Sequence, residues 1–129
     1  MKRYEIAQKY KNEGYNCAQA VALAYYDLTS LSQDEIINIT SGFGLGMGNM
    51  EATCGALVGA NIILGYINTT NVSSTKLAKE LSEKFKELSG ATICKDLKGI
   101  DTKIILCPCI DCVKNASLAL DYIKEVYNI

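Results

Sequence analysis

The chain has 129 residues, 49% hydrophobic and 21% charged, with a net charge of −1 at pH 7. That length suits one domain able to bury about two thirds of its unfolded surface, so disulfide staples are not needed for folding. The near-balance of charge leaves no field to hold a polyanion and excludes nucleic acid as an expected partner.

Residues 3 to 12 put Tyr4, Ala7 and Tyr10 on one face of a short helix that Gly14 ends in the left-handed conformation. Asn16 caps a second helix through Leu28, apolar almost all round from Cys17 to Tyr25 and therefore buried. Ser32 with Glu35 forms a capping box that opens a third helix carrying Ile36, Ile37 and Ile39. The run Gly42-Phe43-Gly44-Leu45-Gly46-Met47-Gly48 suits neither helix nor strand, since every second residue lacks a Cβ; it predicts a loop that approaches something closely. From about Met50 a buried central helix runs to Ile67, with Gly55, Ala56, Gly59 and Ala60 offering a smooth face for another helix. Its apolar stretch from Ala52 to Ile67, interrupted by Gly55, Gly59, Asn61 and Gly65, falls short of a membrane span.

After the polar linker 68 to 71, Ser73 or Ser74 caps an amphipathic helix. Leu77, Ala78, Leu81, Phe85 and Leu88 face inward, and Lys79, Glu80, Glu83, Lys84 and Glu87 form a solvated face. Gly90 ends it. A short turn of helix around Cys94 to Leu97 and an extended piece from Lys103 to Leu106 follow. The last helix starts after Pro108 and reaches Tyr127, with Val113, Ala116, Leu120, Ile123 and Val126 in register. The expected fold class is all-α: a single compact domain, residues 1–129, of five to six helices with a glycine-rich loop before the central helix.

The N-terminal Met1-Lys2-Arg3-Tyr4-Glu5 leads into a polar segment without an apolar core or small-residue cleavage site, so it does not read as a secretory signal, and a cytoplasmic location is expected. There thiols stay reduced, and six cysteines in one small chain read as metal-binding or redox-catalytic rather than as a disulfide framework. Histidine is absent. Any metal bound by side chains therefore rests on cysteine or carboxylate, and a Cys/His nucleophile pair is excluded.

Nearly every cysteine falls at an expected helix start: Cys17 after Asn16, Cys54 after the glycine run, Cys94 after Gly90, and Cys109 and Cys112 after Pro108. A helix N-terminus offers unpaired amides and about half a positive charge, which favours a thiolate over a thiol. Cys107-Pro108-Cys109-Ile110-Asp111-Cys112 combines a CxC with a CxxC, spacing shared by thiol–disulfide exchange, zinc and iron–sulfur sites. Cys107, Cys112, Cys17 and Cys54 also read as buried small hydrophobes when taken singly. If the helix starts converge, at least four thiolates meet, and protonation, oxidation in pairs or a metal must relieve their repulsion.

The glycine run has two readings. Amides at 44 to 48 form a concave nest for sulfur, or the glycines merely let the chain pass close to the core. Met47 and Met50 read as soft ligands or as packing, and Tyr15, Tyr25 and Tyr26 as a shield for the site or as amphipathic packing.

Four blocks of the chain resemble a known family, the small redox proteins named for the pattern C_GCAxxG_C_C. They are Asn16-Cys17-Ala18-Gln19-Ala20-Val21, the glycine run at 42 to 48, Thr53-Cys54-Gly55-Ala56-Leu57-Val58-Gly59-Ala60, and Cys94 with Cys109-Ile110-Asp111-Cys112-Val113-Lys114-Asn115-Ala116. The resemblance spans residues 15 to 127. It implies Cys17, Cys54, Cys94 and Cys109 as the family's four cysteines, with Cys107 and Cys112 as extras that leave the ligand set open. Gly44, Gly46, Gly48 and Gly55 are the candidate cofactor-binding glycines. A similar domain in split-Soret cytochromes implies an iron–sulfur centre, although the CxxCH haem attachment is absent here. Three functions follow as expectations: an iron–sulfur protein (4Fe-4S or 2Fe-2S) transferring electrons, a metal-free thiol–disulfide oxidoreductase, or a structural zinc module with four cysteine ligands. The expected partner is a redox protein of unknown identity, and a homodimer is one arrangement open to the small-residue face of the central helix.

Overall fold

The computed structural model describes residues 1–129 as helices joined by turns, with no strands. The α-helices are α1 (Arg3–Asn12), α2 (Cys17–Ala24), α3 (Gln33–Thr40), α4 (Gly55–Ile67), α5 (Ser74–Ser89), α6 (Cys94–Lys98) and α7 (Cys109–Tyr127).

Local chemistry accounts for most of their ends. Asn16 and Ser32 each accept from the amide three residues on, and the side chains of Gln19 and Glu35 reach back to the cap amides, closing two capping boxes. Ser73 accepts from the Lys76 amide, and Gly90 ends α5 in the left-handed conformation at φ 95°. Pro108 stands as the N-cap of α7, its fixed φ preset for the entry.

Three expected boundaries move. The second helix stops at Ala24 and passes through a 3₁₀ turn at Tyr26–Leu28, because Tyr25 leaves helical geometry. The central helix begins at Gly55, not near Met50. Leu45, Met47, Gly48 and Met50 all take positive φ, so the backbone from 46 to 50 coils as a single π-turn that cannot continue into a right-handed α-helix. Residues 103–106 form no strand; they belong to a loop in which Lys103 turns left-handed and Ile104, Ile105 and Leu106 are exposed.

The core is built on α4, packed against α2, α5 and α7. The smooth face expected on α4 is present. A Cβ on Gly59 would stand 2.4 Å from the Ala18 carbonyl oxygen, and one on Gly55 would stand 2.6 Å from that of Phe43. Only hydrogen at these positions lets α2 and the glycine loop come so near. Leu77, Leu81 and Phe85 of α5 and Val113, Ala116, Leu120 and Ile123 of α7 are fully buried as expected, whereas Leu88 and Val126 lie at the rim and are exposed. At the far end from the cysteines, the Tyr25 hydroxyl donates to Asp121 (2.6 Å) and lies 2.9 Å from the Ser117 carbonyl, joining α2 to α7.

Candidate functional site

Two backbone hydrogen bonds assemble one half of the site. The Cys54 amide donates to the Thr92 carbonyl (2.7 Å) and the Cys94 amide to the Ala52 carbonyl (3.0 Å), closing an isolated antiparallel bridge between Thr53 and Ile93. The start of α4 is thereby drawn beside the start of α6. Gly46 fills the space behind them: its φ is 55°, and a Cβ there would come within 2.6 Å of the Cys94 Cβ.

The other half comes from α2 and α7, whose first residues are Cys17 and Cys109. Gln8 on α1 donates to the Ile110 carbonyl (3.2 Å) and steadies the start of α7. Cys107 lies just outside the helix, its amide and that of Leu106 both donating to the Leu97 carbonyl, which ties the segment to α6. Cys112 lies one turn inside α7 and donates its thiol to the Cys107 carbonyl at 3.4 Å.

All six cysteines line a single cavity of about 340 Å³. Lys11, Asn16, Ser41, Gly44, Leu45, Gly55, Leu97 and Lys98 complete its wall. Every cysteine is a free thiol; Cys109 is half-buried and the other five are buried. As they stand, no three cysteine, aspartate or glutamate side chains of the chain are grouped to hold a single metal ion.

The sulfurs instead act on one another's protonation. The nearby Cys109 sulfur pushes the Cys17 thiol up, and burial adds to the effect. Cys109 itself is held down to about 5 against burial by the Cys17 thiol and then by the Lys98 ammonium. Lys98 Nζ donates to Cys109 Sγ at 2.7 Å. Across the cavity, the nearby Cys112 thiol and then the amides of Ala56 and Leu57 hold Cys54 below the usual cysteine value. Cys112 is pushed up by the Cys54 sulfur and by burial. Burial also raises Cys94, while the Lys98 charge opposes it.

Gly44 and Gly55 lie in the wall, and Gly46 supports Cys94. Gly48 is exposed and apart from the cavity, and its amide is spent on the carbonyls of Gly44 and Leu45 (3.0 and 3.1 Å). The Met50 amide likewise donates to Leu45, so this part of the glycine run closes on itself rather than offering a nest. Met47 is 60% exposed, and neither methionine lines the cavity. The tyrosines pack: Tyr15 meets Tyr10 edge-on at 5.7 Å, Tyr25 belongs to the core, and Tyr26 lies in the exposed 3₁₀ turn.

Lys98, Lys11 and Ser41 are wall residues that sequence reasoning passed over. For Lys98 a signal existed, because it stands four residues after Cys94 and so shares its helix face. Lys11 and Ser41 carry no comparable mark; they reach the cavity through the packing of α1 and the turn after α3.

A family model described as "Putative redox-active protein (C_GCAxxG_C_C)" matches residues 15–123. No curated protein and no solved structure matches the chain.

Proposed function

The chain belongs to the C_GCAxxG_C_C family of redox-active proteins, and we propose that its cysteine cavity binds an iron–sulfur cluster that exchanges electrons with a partner protein in a reducing cytoplasm. One observation carries the reading: six sulfurs delivered by separate elements line one cavity of about 340 Å³ whose wall also holds two lysines. Thiolate donors without imidazole select zinc, Cu(I) or iron–sulfur centres. The sulfurs are dispersed round a volume and not gathered on a point. That arrangement suits a body of several irons and sulfides better than one tetrahedral zinc ion. Cys17, Cys54, Cys94 and Cys109 are the leading ligands, with Cys107 and Cys112 in the same wall as further candidates. When bound, the cluster supplies one-electron chemistry. The protein residues supply anionic sulfur, counter-charge from Lys11 and Lys98, and exclusion of water by burial.

A second reading rests on the pairing itself. In Cys17 with Cys109 and Cys54 with Cys112 one sulfur is held below and the other above the usual cysteine value, which favours attack by one thiolate and resolution by its neighbour.

Iron and acid-labile sulfide analysis of anaerobically prepared protein separates them. Brown protein with both elements, lost in Cys54→Ser, supports the cluster; colourless protein with a thiol count that changes with redox state supports exchange. Zinc retained without sulfide would point to a structural ion instead.

A further inference from the structure

We propose that Lys98 sets the reduction potential of the group held among the cysteines, acting as a fixed counter-charge on the cavity wall and as an N–H donor to the Cys109 sulfur; the inference rests on the iron–sulfur reading. Lys98 is a positioning and tuning residue here, not a ligand. Its Nζ is in direct contact with Cys109 Sγ as hydrogen-bond donor (2.7 Å), and an ionised donor strengthens such a bond. No carboxylate pairs with it, whereas Lys95 on the same helix pairs with Asp101 at 3.6 Å and lies outside the cavity. The charge of Lys98 is therefore directed at sulfur and not neutralised by a neighbour.

The fold holds this ammonium in place. Lys98 is the last residue of α6, one turn after Cys94, so one short helix presents both a sulfur and a cation to the cavity. Gly99 closes the helix in the left-handed conformation at φ 68°, packed so tightly that a Cβ would come within 2.3 Å of the Ile104 carbonyl oxygen. The amides of Leu106 and Cys107 fasten the following segment back onto Leu97 (3.0 and 3.2 Å), directly ahead of Pro108 and Cys109. The backbones that carry donor and acceptor are thus tied to one another.

A bound centre that accepted one electron from dithionite would become more negative by one charge. A cation and a sulfur-directed N–H stabilise that product more than the oxidised form, which raises the potential. Partial exposure of Lys98 screens the effect to about a tenfold change in the one-electron equilibrium, equivalent to about 59 mV.

The test is a dithionite redox titration of anaerobically loaded wild type, Lys98→Met, Lys98→Arg and Lys95→Met, followed by visible absorption and electron paramagnetic resonance, with iron and sulfide measured in each. Lys98→Met is expected to titrate at a potential lower by about 59 mV, with Lys98→Arg close to wild type and Lys95→Met unmoved. Lys98→Gln, which keeps an N–H donor without the charge, falls between and serves in place of Lys98→Met should that variant fail to load. An unmoved potential in Lys98→Met at wild-type iron content, or an equal shift in Lys95→Met, overturns the role of Lys98 and leaves the cluster reading intact. Wild type that holds neither iron nor sulfide overturns both.

Discussion

Cys17 opens α2 and Cys109 opens α7, and the two helix starts bring these residues from opposite ends of the chain into the wall of one cavity, where the neighbouring sulfur and burial raise the Cys17 thiol while the neighbouring sulfur and Lys98 hold Cys109 down to about 5. Lys98 donates to Cys109 and favours its anion, while Cys17 is the more deeply buried of the two.

In metal-free protein this asymmetry is visible in reactivity. The thiolate fraction of Cys109 rises with pH through about 5, so its alkylation by iodoacetamide is expected to be level by pH 7. An ordinary cysteine keeps accelerating through about 8.5. Peptide mass spectrometry after timed alkylation from pH 4 to 9 measures the profile, and a Cys109 curve that still climbs above pH 8 contradicts the assignment.

The pairing also fixes which disulfides form first. With oxidised glutathione as the two-electron acceptor, metal-free protein is expected to give Cys17–Cys109 and Cys54–Cys112, releasing two reduced glutathione molecules for each bond. Non-reducing peptide maps report the connectivity. A dominant Cys107–Cys109 or Cys94–Cys107 bond would contradict the geometry.

The close approach of α2 and α4 predicts a stability effect away from sulfur chemistry. Gly59→Ala places a methyl 2.4 Å from the Ala18 carbonyl oxygen, which is backbone and can yield only by parting the helices. A loss of about 2 kcal/mol is expected from the urea midpoint. Because Cys17 is the residue before Ala18, the same variant should also lower cluster retention.

Tyr25→Phe separates fold from site. It removes a buried hydroxyl from Asp121 and Ser117, at a cost of about 2 kcal/mol in urea unfolding. Its iron content and visible spectrum should match wild type, since Tyr25 does not line the cavity. A changed spectrum would mean that this end of α2 communicates with the cysteines.

Much of the fold was legible residue by residue. Asn16, Ser32, Ser73 and Gly90 set helix ends through bonds made within three or four residues and Pro108 through its fixed φ, so each signal is complete in its own stretch of sequence. The glycine run was legible only in part. That it is not α-helix follows from its missing Cβ atoms, but the left-handed turns at Leu45, Met47 and Met50 follow from a closure onto Gly44 and Leu45 that no composition signals. The start of α4 was misjudged for that reason.

By itself the sequence determined an all-helical chain, a cysteine at or just before most helix starts, and a glycine-lined face on the central helix, because caps, periodicity and missing side chains act locally. Only the tertiary structure decided that all six cysteines line one cavity, that Lys98 points its charge at a sulfur, and that Gly48 lies outside that cavity. Those relations depend on how far α2 and α7 slide along α4 before their backbones touch, and that distance is set by packing between segments remote in the chain.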